Sequence, residues 1–440
     1  MIDWNTIQNE AAQLLSDYIK IKSINPPGNE QQAADYLTNL LRKLGFEPQV
    51  FIPAPNRANL IARLPGNNSK KPIILYHHMD VVEADPQCWS CDPFGGEIRD
   101  GFVWGRGTLD MKCMGIMQLL ALDLLQQHVP NRKRDIIFMA VSDEEAGGSF
   151  GTGWMVENHW SDIEPEYVWD EGSFGMQDLF GPTPVFMVSV AEKGSLWIKL
   201  IAHGKPGHGG MPHDENAAAI LLKALDRVLT LNSKYDLHPI PKLMFQKIGS
   251  ILPFPKSFLL KNIHNPFIFR LVQPTLSANT SVAAMLKDTL SLTVLRAGAK
   301  ENVIPERAEA TLDIRLLPNR DPELFIRNLK TLIADERIEI EIIHLSEPSS
   351  TTEVNTEFYS VLSSVLQKLV PKSITVPLLT PGATDSCYFR RKGINSYGLI
   401  PIIINPGEIA RFHGIDERIS LENLRMGTQI IFEVLKKLCE

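Results

Sequence analysis

Histidines and acids stand at the ends of apolar runs in this chain. "IILYHHMD" closes on His78-Met79-Asp80, "IIFMAVSDEEAGG" carries Asp143-Glu144-Glu145, and "EYVWDEG" ends in Asp170-Glu171. Between the first two runs, "GRGTLDMK" puts Asp110 just ahead of an apolar helical stretch, and "RFHGIDERIS" offers His413. Acids and imidazoles gathered in one place are suited to holding divalent cations. Like charges at close range raise one another's pKa and cost stability, and a bound metal removes that cost. Carboxylate oxygen together with imidazole nitrogen suits Zn2+, with Co2+ or Mn2+ as alternatives. The candidate ligands outnumber what one tetrahedral ion takes. We therefore expect two ions sharing a carboxylate, about 3.5–4 Å apart as in known two-metal sites.

Spacing within the motifs assigns the work. On a strand, residues i and i+2 face the same way. Asp80 can thus reach the far nitrogen of His78, fix its tautomer and raise its basicity. His77 faces the other side and reads as structural. Of the paired glutamates, one is expected to bind metal and the other to stay free as general base. Singly, each motif has an ordinary explanation: "DEE" is commonly a solvated loop and "GRG" a turn. Their succession at strand ends carries the inference. Cys88-x-x-Cys91 has no second such pair and does not open a helix, so it receives neither a zinc-knuckle nor a redox role.

Bringing these groups together requires a sheet whose strands end on one edge, because open parallel sheets bind ligands at the carboxyl ends of their strands. The spacing predicts helices over 3–22 and 30–44, interrupted by "INPPGNE", and a long apolar one over 114–129. Strands alternate with these helices. The expected class is α/β, a mostly parallel sheet with helices on both faces. Beyond residue 185 the texture becomes β-α-β-β-α-β, the order of a ferredoxin-like α+β unit. Residues 1–185 and 350–440 are therefore read as one discontinuous metal-binding domain, and 186–349 as an inserted unit. Residues 231–275 are apolar and Pro-interrupted. They are expected to add packing to the small unit; the sharper alternatives are a lid or wall for a hydrophobic substrate group, or a membrane contact.

Composition narrows the partners. The chain has 440 residues and a formal net charge of −7, which argues against a nucleic-acid partner. The N-terminal stretch has no basic n-region, so no signal peptide is expected. No uninterrupted apolar run of about 18 residues occurs, so no transmembrane segment is expected. Five scattered cysteines favour a reducing, cytoplasmic setting.

Taken in order, "HHMD", "WSCDPFGGEIRDGFVWGRGTLDMK", "SDEEAGG", "WDEG", "GKPGHGG", "NVIPERAEATLDIR", "PGATDS" and "HGIDERIS" resemble the co-catalytic zinc exopeptidase family. That family includes carboxypeptidase S, aminoacylase, glutamate carboxypeptidase and succinyl-diaminopimelate desuccinylase. The chain is most similar to its carboxypeptidase S and N-acyl-amino-acid hydrolase branch. The resemblance implies that His78 and Asp170 hold one zinc, Glu145 and His413 the other, and Asp110 bridges them. It makes Glu144 the general base and Asp80 the partner of His78. Asp170 is taken over its neighbour Glu171 as the ligand. His208 would reach the active site of the opposite subunit and stabilise the oxyanion, which implies a homodimer built through the inserted lid/dimerisation unit. Asn302 and Arg315 would hold substrate, with the fork of Arg315 matched to a carboxylate; an ion pair with Asp313 is the plainer reading of that arginine. Gly382 would offer backbone to the substrate. The implied activity is hydrolysis of an amide or peptide bond beside a free carboxylate, of carboxypeptidase or dipeptidase type. Hydrolysis of N-acyl amino acids is the alternative. A homologue that binds metal without catalysis is the third reading, and the intact Glu144 and Asp80 argue against it.

Overall fold

In the computed structural model, which describes residues 2–231, 233–346 and 349–440, the apolar runs form the centre of a ten-stranded sheet. Its order is Gln49–Ala54, Arg57–Leu64, Ile136–Val141, Ile73–His78, Tyr167–Asp170, Asn395–Gly398 and Val185–Glu192, followed by two short strands; Ile374–Thr380 also pairs with Val185–Glu192. Ile73–His78 runs parallel to both neighbours, whereas the two N-terminal strands join antiparallel at the edge.

Every residue of Ile73–His78, Ile136–Val141 and Tyr167–Asp170 is buried. Successive side chains point to opposite faces, so both faces are covered, as in a central parallel sheet. On one face His77 packs against helix Lys112–His128, where a Cβ at Gly115 would come within 2.5 Å of its ring. On the other, Tyr76 meets Phe389 of helix Ser386–Arg391. Helix Lys112–His128 is apolar nearly all round, as a helix enclosed between layers must be. Helices Trp4–Ile19 and Leu421–Cys439 pack against it and against each other. Burial, with His78 alongside, pushes the His77 ring down to about 3, so it is a neutral packing residue.

A second sheet has four antiparallel strands in the order Thr289–Ala297, Arg307–Leu316, Gly194–His203, Ile338–Leu345. Helices Ala217–Leu229 and Pro322–Ile333 cover one face through Leu196, Ile198, Leu200, Leu312 and Ile314. The β-α-β-β-α-β order is ferredoxin-like. Along Arg307–Leu316 every second residue is buried under the helices, which leaves Asp313 and Arg315 on the helix-free face.

Two expectations are corrected. Val185–Glu192 belongs to the large sheet and Gly194–His203 to the small one, so the first crossover lies at Lys193 and not at 185. A single apolar run hides this because two strands of different sheets follow each other with one residue between them. The 231–275 segment also packs elsewhere than expected. With the residues up to Met285 it contributes helices Pro239–Ile248, Lys256–Lys261, Pro266–Ser277 and Thr280–Met285. Their core includes Val185, Val376 and Leu378 of the large sheet. It therefore thickens the large domain, not the small sheet.

Candidate metal centre and active-site cleft

The carboxyl ends of the parallel strands, with the loops that follow them, bring two triads together: His78, Asp110 and Glu171, and Asp110, Glu145 and His413. Within each, the candidate ligand atoms all lie within 4.8 Å of one another. His78 Nε2 is 3.0 Å from Asp110 Oδ1 and 3.7 Å from Glu171 Oε1. His413 Nε2 is 2.7 Å from Asp110 Oδ2 and 3.6 Å from Glu145 Oε1. Asp110 thus turns one oxygen to each triad.

The far side of His78 is also fixed. Its Nδ1 lies 3.0 Å from the Asp80 carbonyl and 3.5 Å from Asp80 Oδ1. The Asp80 carboxylate accepts from the backbone N–H of Glu144 at 3.2 Å and of Glu145 at 3.1 Å. One buried acid therefore orients the histidine and anchors the loop that carries both glutamates.

Adjacent positions at the end of Tyr167–Asp170 are resolved against the expectation. Asp170 Oδ2 accepts from Ser386 Oγ at 2.6 Å, and its Oδ1 from the Glu171 N–H at 2.6 Å. Asp170 thus braces helix Ser386–Arg391 from below, and Glu171 is the carboxylate facing His78 and Asp110. The strand ends at Asp170, and the next residue turns over the sheet edge.

The electrostatics of the cluster call for cations. Burial, then Glu171, pushes the Glu144 carboxyl well above the usual range. Burial, then Asp110, does the same to Glu171 and raises Glu145. Burial opposes ionisation of Asp110 as well, yet hydrogen bonds from His413 and His78 hold it below its ordinary value. Contacts with Asp110 and then Glu145 push His413 up to about 10. Glu145 Oε1 is buried without a hydrogen-bond donor among the described residues. A set of buried carboxylates that repel one another, with imidazole nitrogens aimed between them, fits a pair of divalent ions.

Several residues that hold this arrangement went unread in the sequence. Glu417 is fully buried. Its Oε1 accepts from the backbone of Gly107, Leu109 and Asp110 at 3.1, 2.6 and 3.3 Å, and its Oε2 pairs with Arg106 at 2.6 Å. Arg106 also donates to the carbonyls of His413 and Gly414, tying the Asp110 turn to the His413 loop. Asn25 donates to Asp80 at 2.8 Å and to Asp143 at 3.1 Å. Arg57 links Asn25, Glu30 and Asp143 behind it. Asp385 accepts from Tyr76 Oη at 2.5 Å. A Cβ at Gly148, which has φ +70°, would fall 2.3 Å from Asp385 Oδ1, so the "EEAGG" turn requires glycine there. The signals were the "GRG", "DER" and "INPPGNE" stretches, whose charges had no assigned role.

The cluster floors a cleft of about 620 Å³ between the sheets. Glu144, Arg315 and Gly382 line it. Arg315 forms the plainer of its two expected contacts, a two-point pair with Asp313 at 2.7 and 3.1 Å. His208 and Asn302 are not among the cleft-lining residues. Gly207–His208 pairs with Val303–Ile304, and the Gly209 N–H donates to the Asn302 carbonyl at 2.8 Å. Cys88 and Cys91 are free.

The chain is similar to known proteins over most of its length. The human N-fatty-acyl-amino acid synthase/hydrolase PM20D1 is 30% identical over 385 residues, covering 84% of this chain and 74% of that protein. The probable carboxypeptidase S-like 2 of Dictyostelium discoideum is 30% identical over 385 residues, covering 84% and 72%. Among solved structures, the M20 family metallo-carboxypeptidase Sso-CP2 from Sulfolobus solfataricus superposes with a TM-score of 0.74 at 20% identity, covering 97% of this chain and 98% of that one. The sequence profile described as peptidase family M20/M25/M40 matches residues 74–437. With that match spanning both triads, the chain belongs to peptidase family M20/M25/M40 and is a hydrolase of the metallopeptidase and aminoacylase kind.

Proposed function

We propose that the chain hydrolyses the amide bond between an apolar acyl group and an amino acid that keeps its free carboxylate. The make-up of the cleft carries this reading. Its acids are Asp110, Glu144, Glu145, Glu171 and Asp385, all in the metal cluster or at its rim, whereas Phe174, Trp197, Leu345, Ile400, Ile409 and Phe412 supply apolar wall. No carboxylate outside the cluster is available to a free peptide amine among the described lining residues. Arg315, His344 and Arg391 also line the cleft and suit a substrate carboxylate. A dipeptide with an apolar first residue is the second reading, favoured by the same walls.

Bound in the two triads, divalent ions, with Zn2+ as our choice from the donor set, would supply Lewis acidity and a water of lowered pKa. His78, Glu171, Glu145 and His413 would be the terminal ligands and Asp110 the bridge. Glu144 accepts the attacking water's proton and returns it to the leaving amine. Asp80 keeps His78 and the Glu144 loop in register. Arg315 exchanges Asp313 for the substrate carboxylate, and Gly382 lends its backbone to the bound amide.

The test is metal analysis combined with a panel of N-acyl amino acids and dipeptides. We expect amides of apolar acyl groups to give the highest kcat/KM. Converting the substrate carboxylate to a carboxamide should remove most of it. Equal cleavage of the carboxamides would sink the reading.

We further propose a homodimer in which the ferredoxin-like unit presents His208, with Asn302 beside it, to the partner's cleft as an oxyanion donor. The exposure of His208 and its separation from its own cleft support this. Sedimentation at assay concentration should find activity with the dimer; an active monomer contradicts it. The five free cysteines support a cytoplasmic setting.

A further inference from the structure

The helical insertion presents a basic and apolar face that the rest of the chain leaves uncovered. Phe254 is 82% exposed, Phe267 77%, Leu271 59% and Phe258 55%. On helix Pro266–Ser277 the inner residues Ile268, Phe269, Val272 and Leu276 join the core shared with the large sheet. Phe267, Arg270, Leu271 and Pro274 form the outer stripe at i, i+3, i+4 and i+7, all exposed. Phe254 stands between Pro253 and Pro255, in a stretch that has few other conformations to offer.

The charge is as one-sided as the apolarity. Between Asp236 and Asp288 lie six of the chain's 44 lysines and arginines and none of its 51 acids. Lys256, Lys261 and Arg270, beside the exposed phenylalanines, are themselves exposed and form no ion pair among the described residues. The remainder of the chain is acidic and turns this face toward any negative surface.

We propose that this face docks the protein onto an anionic lipid bilayer. Aromatic groups that enter the acyl boundary, flanked by cations at headgroup level, are what an interfacial site requires. The attachment is peripheral, since no helix among the described residues is long and apolar enough to cross a membrane. A second copy of the chain is a poorer occupant. A two-fold contact would set Lys256, Lys261 and Arg270 against their own copies with no acid in the segment to offset them. The face is also no part of the substrate site, because none of these residues lines the cleft.

The test floats the full chain with phosphatidylglycerol-containing vesicles, with pure phosphatidylcholine vesicles and polyglutamate as references. We expect co-flotation with the anionic vesicles that salt reverses. One cation near such a surface is worth about a fivefold change in partition, so the triple variant Lys256→Gln/Lys261→Gln/Arg270→Gln should lose about 100-fold. Phe254→Ser/Phe267→Ser should lose about tenfold or more. Hydrolysis of a short soluble substrate should be unchanged in both, which certifies the fold. Wild-type protein left unfloated at low salt overturns the proposal, as do variants that float like wild type. Equal binding to pure phosphatidylcholine or to polyglutamate also overturns it, in favour of unspecific adsorption or an acidic protein partner. So does a phenylalanine variant that changes the sedimentation coefficient, which would mark the face as a self-interface.

Discussion

Glu144→Gln is expected to keep both metals and lose nearly all turnover. Glu144 belongs to neither triad, yet it lines the cleft, and the Asp80 carboxylate holds its backbone N–H. It is the one glutamate of the "DEE" turn without a ligand's position. Burial and Glu171 raise its proton affinity, which suits a group that must take a proton and give it back. A positioned general base contributes about 10²–10⁴-fold, and kcat should fall by that amount. Glutamine keeps the shape and removes one of several repelling carboxylates, so the melting temperature should hold or rise. Metal content by mass spectrometry should match wild type. Undiminished kcat would remove Glu144 from the mechanism; lost metal would make it a ligand.

The second large effect is on metal content itself. Asp110 gives one oxygen to each triad. Asp110→Asn keeps the size but loses a charge and turns one of those oxygens into an amide donor. Changes to outer-shell partners cost about 10–100-fold in metal affinity, and loss of the shared ligand should exceed that at both positions. Glu171→Gln should weaken the position shared with His78 and leave the other. Asp170→Asn should leave both filled, because its oxygens accept from Ser386 and the Glu171 N–H and do not face the triads. The measurement is metal per chain after dialysis against a graded chelator. If Asp170→Asn empties a position while Glu171→Gln does not, the assignment from geometry is wrong.

Both experiments probe residues held by groups far away in sequence. Glu417 fixes the Asp110 turn through three backbone N–H groups, and Asn25 and Arg57 stand behind Asp80. With Arg106, these residues tie the Asp110 turn to the His413 loop, and Asp80 to the loop that carries Asp143.

Much of the site was legible in the order of residues. Apolar runs ending in acids predict parallel strands whose carboxyl ends meet, and that alone places His78 beside the Glu144-Glu145 turn; Asp110 comes from the turn ahead of helix Lys112–His128. The period of two in "HHMD" separates His78 from His77, and the structure keeps that separation: one faces the cluster, the other packs on Gly115. The ferredoxin-like order was equally plain, because alternation on one-sided strands is a strong pattern.

What the sequence by itself determined was the chemistry: which residue types converge, and that they need cations. Tertiary structure alone decided the choice between Asp170 and Glu171, the crossover at Lys193, the brace from Arg106 to Glu417, and the seat of the 231–275 helices on the large sheet. The reason is physical. Periodicity records which face of an element is apolar, but it carries no information about which other element covers that face or where a strand's last hydrogen bond falls. Those outcomes are set by contacts between residues hundreds of positions apart, and only the folded chain brings them within bonding distance.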